Sequence, residues 1–183
     1  AVNNHEKKIM GKKCYRSILH IEKEIDLTII AIPAPFVKIA VREARQKGVK
    51  AIIIISAGFS ESGKKGLEDE IMRQKGDVRI LGPNCFGVVN PYIGLDTTFA
   101  RTTPKKGDIA FISQSGAIWS GVAELSKKEN FGFSGFVSLG NMMDIGFEDT
   151  IQYFDNDENT RIIVLYLETL KDGRKIMQMA KRC

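Results

Sequence analysis

The sequence is poor in the side chains that carry most metal and nucleophile chemistry. Of its 183 residues two are histidine, three are cysteine and one is tryptophan. His5 and His20 sit in a polar N-terminal region with no ligand or triad spacing, which predicts two surface residues. Cys14, Cys85 and Cys183 are odd in number and far apart, so no C-x-x-C pair exists to bind zinc or run redox chemistry. No metal site is predicted, and reduced thiols in a cytosol fit the pattern.

Long apolar runs are also missing. Runs such as that at 51–55 are far too short to span a bilayer, and no charged-then-apolar segment opens the chain. The expectation is a cytoplasmic protein without a membrane partner. Acidic residues are in mild deficit, 22 against 27 Lys plus Arg, for a net charge of +5. That excess would suit acidic ligands such as nucleotides or phosphate esters, but it is scattered. Lys38, Arg42, Arg45, Lys47 and Lys50 read as one solvated helix face. No basic stripe with interleaved aromatics points to nucleic acid. The chain starts at Ala1 without a methionine and stops inside a helical pattern at Cys183, which predicts a fragment.

What is present is core material: 43% hydrophobic and 27% charged residues, enough for one large or two small globular domains. From Asp26 onward, short apolar runs alternate with amphipathic stretches of helical period, the mark of parallel α/β layers. Strands are predicted at 27–32, 51–56 and 78–81. A helix carrying Phe36, Val37, Ala40, Val41 and Ala44 runs to Gly48, and another covers 66–75. Residues 82–107 hold seven Gly and Pro residues with no sustained period, which predicts a linker or functional loop and a domain boundary near Thr103. Strands at 108–112, 133–139 and 161–167 then alternate with a helix carrying Ala117, Ile118, Val122 and Leu125, one at 147–154 and one from Asp172. Two parallel-sheet domains in series follow.

In open parallel sheets ligands sit beyond the carboxyl ends of strands, so the strand-to-helix turns are the candidates. Five stand out: Ile32-Pro33-Ala34-Pro35-Phe36, Ser56-Ala57-Gly58-Phe59-Ser60, Gly82-Pro83-Asn84-Cys85, Ser113-Gln114-Ser115-Gly116 and Leu167-Glu168-Thr169. The second continues to Lys65 and nearly matches the phosphate loop G-x-x-x-x-G-K-[ST], but Lys65 cannot supply the hydroxyl that ligates magnesium. A plain Gly- and Ser-rich loop is the competing reading. At Ser113 and Ser115 two readings stand side by side: a helix N-cap, or a phosphate site of backbone N–H groups, hydroxyls and a Gly. Cys85 is either structural or a nucleophile. Glu168 is either an ordinary strand-end carboxylate or the partner of a histidine.

Taken in order and register, Pro33-Ala34-Pro35-Phe36, Ile55-Ser56-Ala57-Gly58-Phe59, Gly82-Pro83-Asn84-Cys85-Phe86-Gly87 and Ser113-Gln114-Ser115-Gly116-Ala117 carry a resemblance. Over essentially the whole chain they resemble the α subunit, or α-like region, of the NDP-forming acyl-CoA synthetases, nearer the archaeal acetyl-CoA branch than succinyl-CoA synthetase. The resemblance implies a Rossmann-like CoA-binding domain (1–103, lacking its N-terminal βα unit) followed by a flavodoxin-like ligase domain (104–183, cut before a phosphohistidine). It implies a reaction in which acyl-CoA and phosphate give an acyl phosphate, the phosphoryl passes to a histidine, and a partner ATP-grasp β subunit or fused domain delivers it to ADP with Mg2+. CoA, a carboxylic acid and phosphate would be the small-molecule partners, in an oligomer.

Carried onto this chain, the resemblance implies that Pro33, Ala34, Pro35 and Phe36 border the adenine or ribose part of CoA, that Gly58 is a further CoA-binding residue, and that Asn84 and Cys85 lie near its thiol end. Ser113, Ser115 and Gly116 would cradle the phosphoryl, and Glu168 would orient the histidine, which this chain lacks. An alternative is a non-catalytic acyl-CoA-sensing module of a regulatory protein such as a protein acetyltransferase. A phosphate-loop NTPase is a third reading.

Overall fold

The structure is a computed structural model that describes residues 1–170 and 172–182; Cys183 lies outside the described residues. The chain forms two compact units, which part between Ile80 and Leu81.

Unit 1 opens with a hairpin of β1 (Lys8–Ile9) and β2 (Lys12–Lys13), paired antiparallel. Its two-residue turn has both Met10 and Gly11 at positive φ, the geometry that matches the twist of paired strands. A three-stranded sheet follows in the order β3 (Leu27–Ile30), β4 (Ala51–Ile54), β5 (Arg79–Leu81), with β3 and β4 parallel. Between them run α1 (Ala34–Gln46) and α2 (Lys65–Gln74). Helix α1 buries Val37, Val41 and Ala44 of the predicted stripe together with Ala34, whereas Phe36 of that stripe is exposed and Ala40 half-buried, and it leaves Arg42 and Arg45 in solvent. An ion pair from Lys38 to Glu70, 2.8 Å long, joins the exposed sides of α1 and α2.

Unit 2 holds a five-stranded sheet in the order β10-β8-β9-β6-β7. In chain order these are β6 (Val88–Asn90), β7 (Leu95–Asp96), β8 (Lys106–Ser113), β9 (Phe133–Ser138) and β10 (Ile162–Tyr166). Helices α3 (Ala117–Lys128), α4 (Phe147–Asp155) and α5 (Gly173–Ala180) alternate with them. Strand β8 runs parallel to β9 on one side and β10 on the other. Its inner half, Ala110 to Ser113, is wholly buried, as befits a strand with neighbours on both edges. The core is aromatic. Trp119 stacks on Phe136 with ring centroids 4.0 Å apart and meets Phe133 edge-on at 5.1 Å. No helix among the described residues is long and apolar enough to cross a membrane.

One stretch departs from the sequence reading. Residues 82–107, expected to lack structure, contain β6 and β7, and β6 pairs antiparallel with β9, so the sheet is mixed. Strands of three and two residues are too short to leave a period in the sequence. Their turn is nonetheless written locally: Asn90 Oδ1 accepts the N–H groups of Tyr92 and Ile93. Because these strands pair within unit 2, the compact units part well before Thr103, at Ile80.

Candidate functional site

The chemistry-bearing turns fall into two groups, one in each unit.

In unit 1 the carboxyl ends of β3 and β4 lie side by side because the strands are parallel and adjacent. Ser56 clasps them: its hydroxyl accepts the Ile32 N–H at 3.0 Å and donates weakly to the Ile30 carbonyl at 3.4 Å. A Cβ on Gly58 would sit 3.4 Å from the Ala34 Cβ, so the turn at Gly58 lies directly against the start of α1. That start has no side-chain cap and no acidic residue in its first turn, with Pro35 inside it. Beside it Phe36 is 58% exposed, and Ile32 is exposed as well. An exposed aromatic ring at an uncapped helix start is the feature of this group that points to a ligand.

The loop after Gly58 does not fit a phosphate loop. The Gly58 and Phe59 N–H groups donate to Glu61 Oε1 at 2.5 and 3.1 Å, and the Ser60 N–H donates to Glu68 Oε1 at 3.1 Å. The donors that would cradle a phosphate are taken by two carboxylates, which would repel a polyphosphate. The NTPase reading is corrected on that ground, and Lys65 instead begins α2.

In unit 2 three parallel strands end together. Register pairs Ser113 with Ser138 on one side and Tyr166 on the other, so the segments after them form one rim. The Leu139 N–H donates to the Ser113 carbonyl at 2.8 Å, and the Gln114 N–H to the Tyr166 carbonyl at 3.1 Å. Ser113 itself is fully buried, and its hydroxyl donates to the Ser115 carbonyl at 2.7 Å, so it shapes the turn from within. Neither serine caps α3. The N-cap position belongs to Gly116 and carries no side-chain bond, which overturns the capping reading. Gly116 is required by close approach: a Cβ there would meet the Phe86 Cβ at 2.5 Å. Ser115, half-buried, and the uncapped start of α3 are what this turn offers.

The turn 82–87 belongs to the same rim. Asn141 N–H donates to the Pro83 carbonyl at 2.9 Å and Met143 N–H to the Gly82 carbonyl at 3.0 Å. Phe86 N–H donates to Ser138 Oγ at 2.8 Å, and Asn84 Nδ2 to Asn141 Oδ1 at 3.3 Å. Asn84 is exposed at the surface of the rim. Glu168 is exposed on the far side, with its N–H and that of Thr169 held by Gln114. The turn Leu139-Gly140-Asn141-Met142 is a sixth strand-end turn that sequence reasoning passes over, although a Gly-Asn pair after a buried strand is the same signal the other five carry. His5 and His20 are both exposed and belong to unit 1, as the sequence implies.

Cys85 is buried, and burial pushes its thiol up from 9.0 to about 12. At pH 8 only about one thiol in ten thousand would be ionised on that basis. Iodoacetamide is therefore expected to modify Cys14 and spare Cys85 until the protein unfolds; equal rates in the native state would contradict this burial. Folding favours the protonated thiol, so its contribution is complete below pH 9.0 and is lost as pH climbs toward 12.

The two α/β units carry an exposed aromatic ring at the strand ends of one and a rim with an uncapped helix start in the other, and family models give their class: a CoA-binding domain paired with a flavodoxin-like ligase domain. Residues 1–91 match the CoA binding domain and residues 106–183 the succinyl-CoA ligase like flavodoxin domain. The chain belongs to the NDP-forming acyl-CoA synthetase superfamily, and it is similar to proteins of the ADP-forming acetate–CoA branch. It is 43% identical over 99% of its length to the α subunit of ADP-forming acetate–CoA ligase II from Pyrococcus furiosus, of which it spans 40%. It is 44% identical to ADP-forming acetate–CoA ligase from Methanocaldococcus jannaschii, spanning 26% of that protein and 99% of this chain. Among solved structures, dinucleotide-forming acetyl-coenzyme A synthetase 1 from Ca. Korarchaeum cryptofilum, in complex with phosphate and ADP, superposes with a TM-score of 0.92 at 34% identity, covering 99% of this chain and 40% of that one. The chain thus spans less than half the length of these relatives.

Proposed function

We propose that this chain is the CoA- and phosphoryl-handling part of an ADP-forming acyl-CoA synthetase, which interconverts acyl-CoA, phosphate and ADP with acid, CoA and ATP. The observation that carries the reading is the rim of unit 2, where an uncapped helix start beside Ser115 shares one strand-end layer with Glu168 and Asn84. A phosphoryl group in transit needs positioning and oriented dipoles more than covalent help, and backbone N–H groups at a helix start supply both without reorganisation. Glu168 would hold the ring of a phosphorylated histidine supplied from outside residues 1–183, fixing its tautomer and favouring its charged form. An ATP-grasp domain, with its magnesium and nucleotide, would accept the phosphoryl.

CoA supplies the thiol that carries the acyl group; this chain's residues would hold it. Phe36, exposed beside the uncapped start of α1, fits an adenine face, with Pro33, Ala34 and Pro35 forming the adjoining turn. The carboxylate of Glu61 on the Gly58 turn suits hydroxyl and amide donors of a ribose or pantetheine, and directs the phosphates elsewhere. Asn84 is the surface residue of the turn near the thiol end in this reading, while buried Cys85 packs beneath it. The gap between the two family matches, 1–91 and 106–183, supports a functional boundary near Thr103 in this reading. The ligase identities of the relatives favour this reading over a sensor module.

The test is a calorimetric titration of the chain with CoA. Phe36→Ala should weaken binding by about tenfold, the worth of one base-stacking aromatic, and leave the melting temperature unchanged because the ring is exposed. Wild-type affinity in a folded Phe36→Ala variant, or no saturable CoA binding by the unaltered chain, would sink the assignment.

A further inference from the structure

Gln114 is buried, 9% exposed, yet every polar group of its side chain is used on a single distant turn. Its Oε1 accepts the Glu168 N–H at 2.6 Å and the Thr169 N–H at 2.9 Å, and its Nε2 donates to Thr169 Oγ1 at 3.0 Å. Its own backbone N–H donates to Tyr166, the last residue of β10. Gln114 also stands one residue before Ser115, in the turn that leads into α3. One buried amide thus links the start of α3 to the segment that presents Glu168.

We propose that Gln114 is a positioning residue for the phosphoryl-transfer rim: its side-chain amide clamps the Glu168–Thr169 turn and sets the reach of the Glu168 carboxylate from the Ser115 turn. The proposal rests on the phosphoryl-transfer reading of that rim. Residues 166–170 are all exposed. Two N–H groups of successive residues converge on one acceptor, which fixes the turn's backbone more tightly than a single bond would. A glutamate at this position would keep both accepted bonds, and the Thr169 hydroxyl could rotate to donate to it; an alanine would keep none.

Two measurements test this. In the 183-residue chain, amide exchange at Glu168 and Thr169 should quicken by about tenfold or more in Gln114→Ala, stay slow in Gln114→Glu, and be unchanged at Ile112 in the core. In the longer synthetase that carries this chain, assayed with CoA, acid and ATP, Gln114→Ala should lower kcat by about tenfold or more with the KM for CoA unmoved. Gln114→Glu should recover most of that rate, and Gln114→Ala combined with Glu168→Gln should be no slower than Glu168→Gln alone. Wild-type exchange at the two amides in Gln114→Ala overturns the clamp. Additive losses in the double variant overturn the positioning role. Absence of ligase turnover in the unaltered protein fails the functional reading instead, and the exchange rates then decide the clamp by themselves.

Discussion

Replacing Gly140 with alanine is expected to destabilise unit 2 by about 3–5 kcal/mol, at the far end of what single substitutions do. Two costs combine. The residue has φ +56, a left-handed conformation that charges any Cβ about 1–2 kcal/mol. The larger cost is steric: the added Cβ would lie 2.2 Å from the Pro83 carbonyl oxygen and 2.6 Å from that of Asn84. Both obstacles are backbone, so no side chain can turn aside. The two turns must separate there, breaking the bonds from Asn141 and Met143 N–H to Pro83 and Gly82 that stitch the rim. Gly94 provides the control. Its φ of +67 is similar, but nothing lies within 4 Å of an added Cβ, so Gly94→Ala should cost only about 1 kcal/mol. Urea unfolding followed by far-UV circular dichroism would compare them. Equal losses at the two positions would show that conformation alone matters and that the rim is not tightly stitched.

The second large effect is expected at Trp119, the only tryptophan of the chain and fully buried. Trp119→Ala should cost about 3–5 kcal/mol, the range for deleting a large core aromatic, because the stacked and edge-on contacts with Phe136 and Phe133 vanish and leave a cavity. Against a total stability of about 5–15 kcal/mol, that would bring unit 2 close to unfolding. Trp119→Phe should be far milder, under about 2 kcal/mol, since a ring still stacks and the indole N–H, which has no hydrogen-bond partner among the described residues, is removed. Thermal melts would rank the two variants. A phenylalanine variant as unstable as the alanine one would contradict the account of the unpartnered N–H. Unfolding of the native protein should also red-shift its fluorescence, because the single reporter moves from a dry core to water.

Much of this architecture is legible along the chain. The buried stripe of α1, the Ile-rich run of β4 and the continuous apolar run of β8 each state their element, because helix and parallel strand bury residues with distinct periods. The candidate turns are legible for a related reason: Gly, Pro, Ser and Asn gather where strands end. Strands β6 and β7 escape notice because a pairing of two or three residues depends on its neighbour, β9, and not on its own pattern. The roles within the rim are hidden for the same cause. Ser113 and Ser115 look alike in sequence, yet one is sealed beneath the other by a hydrogen bond to its carbonyl. The partners of the Gln114 side chain lie some fifty residues on, at Glu168 and Thr169.

The scarcity of histidine and cysteine by itself left these 183 residues without a C-x-x-C pair or a Cys–His spacing. The order of its Gly- and Pro-marked turns by itself carried the family. Only the tertiary structure decided which residues of those turns face solvent and which are spent holding the turn together. It withdrew Cys85 from chemistry by burying it, filled the apparent phosphate loop with the carboxylates of Glu61 and Glu68, and left the start of α3 uncapped. The physical reason is one of range. Backbone conformation is set by near neighbours, whereas burial, charge and hydrogen-bond satisfaction are set by whatever the fold brings alongside.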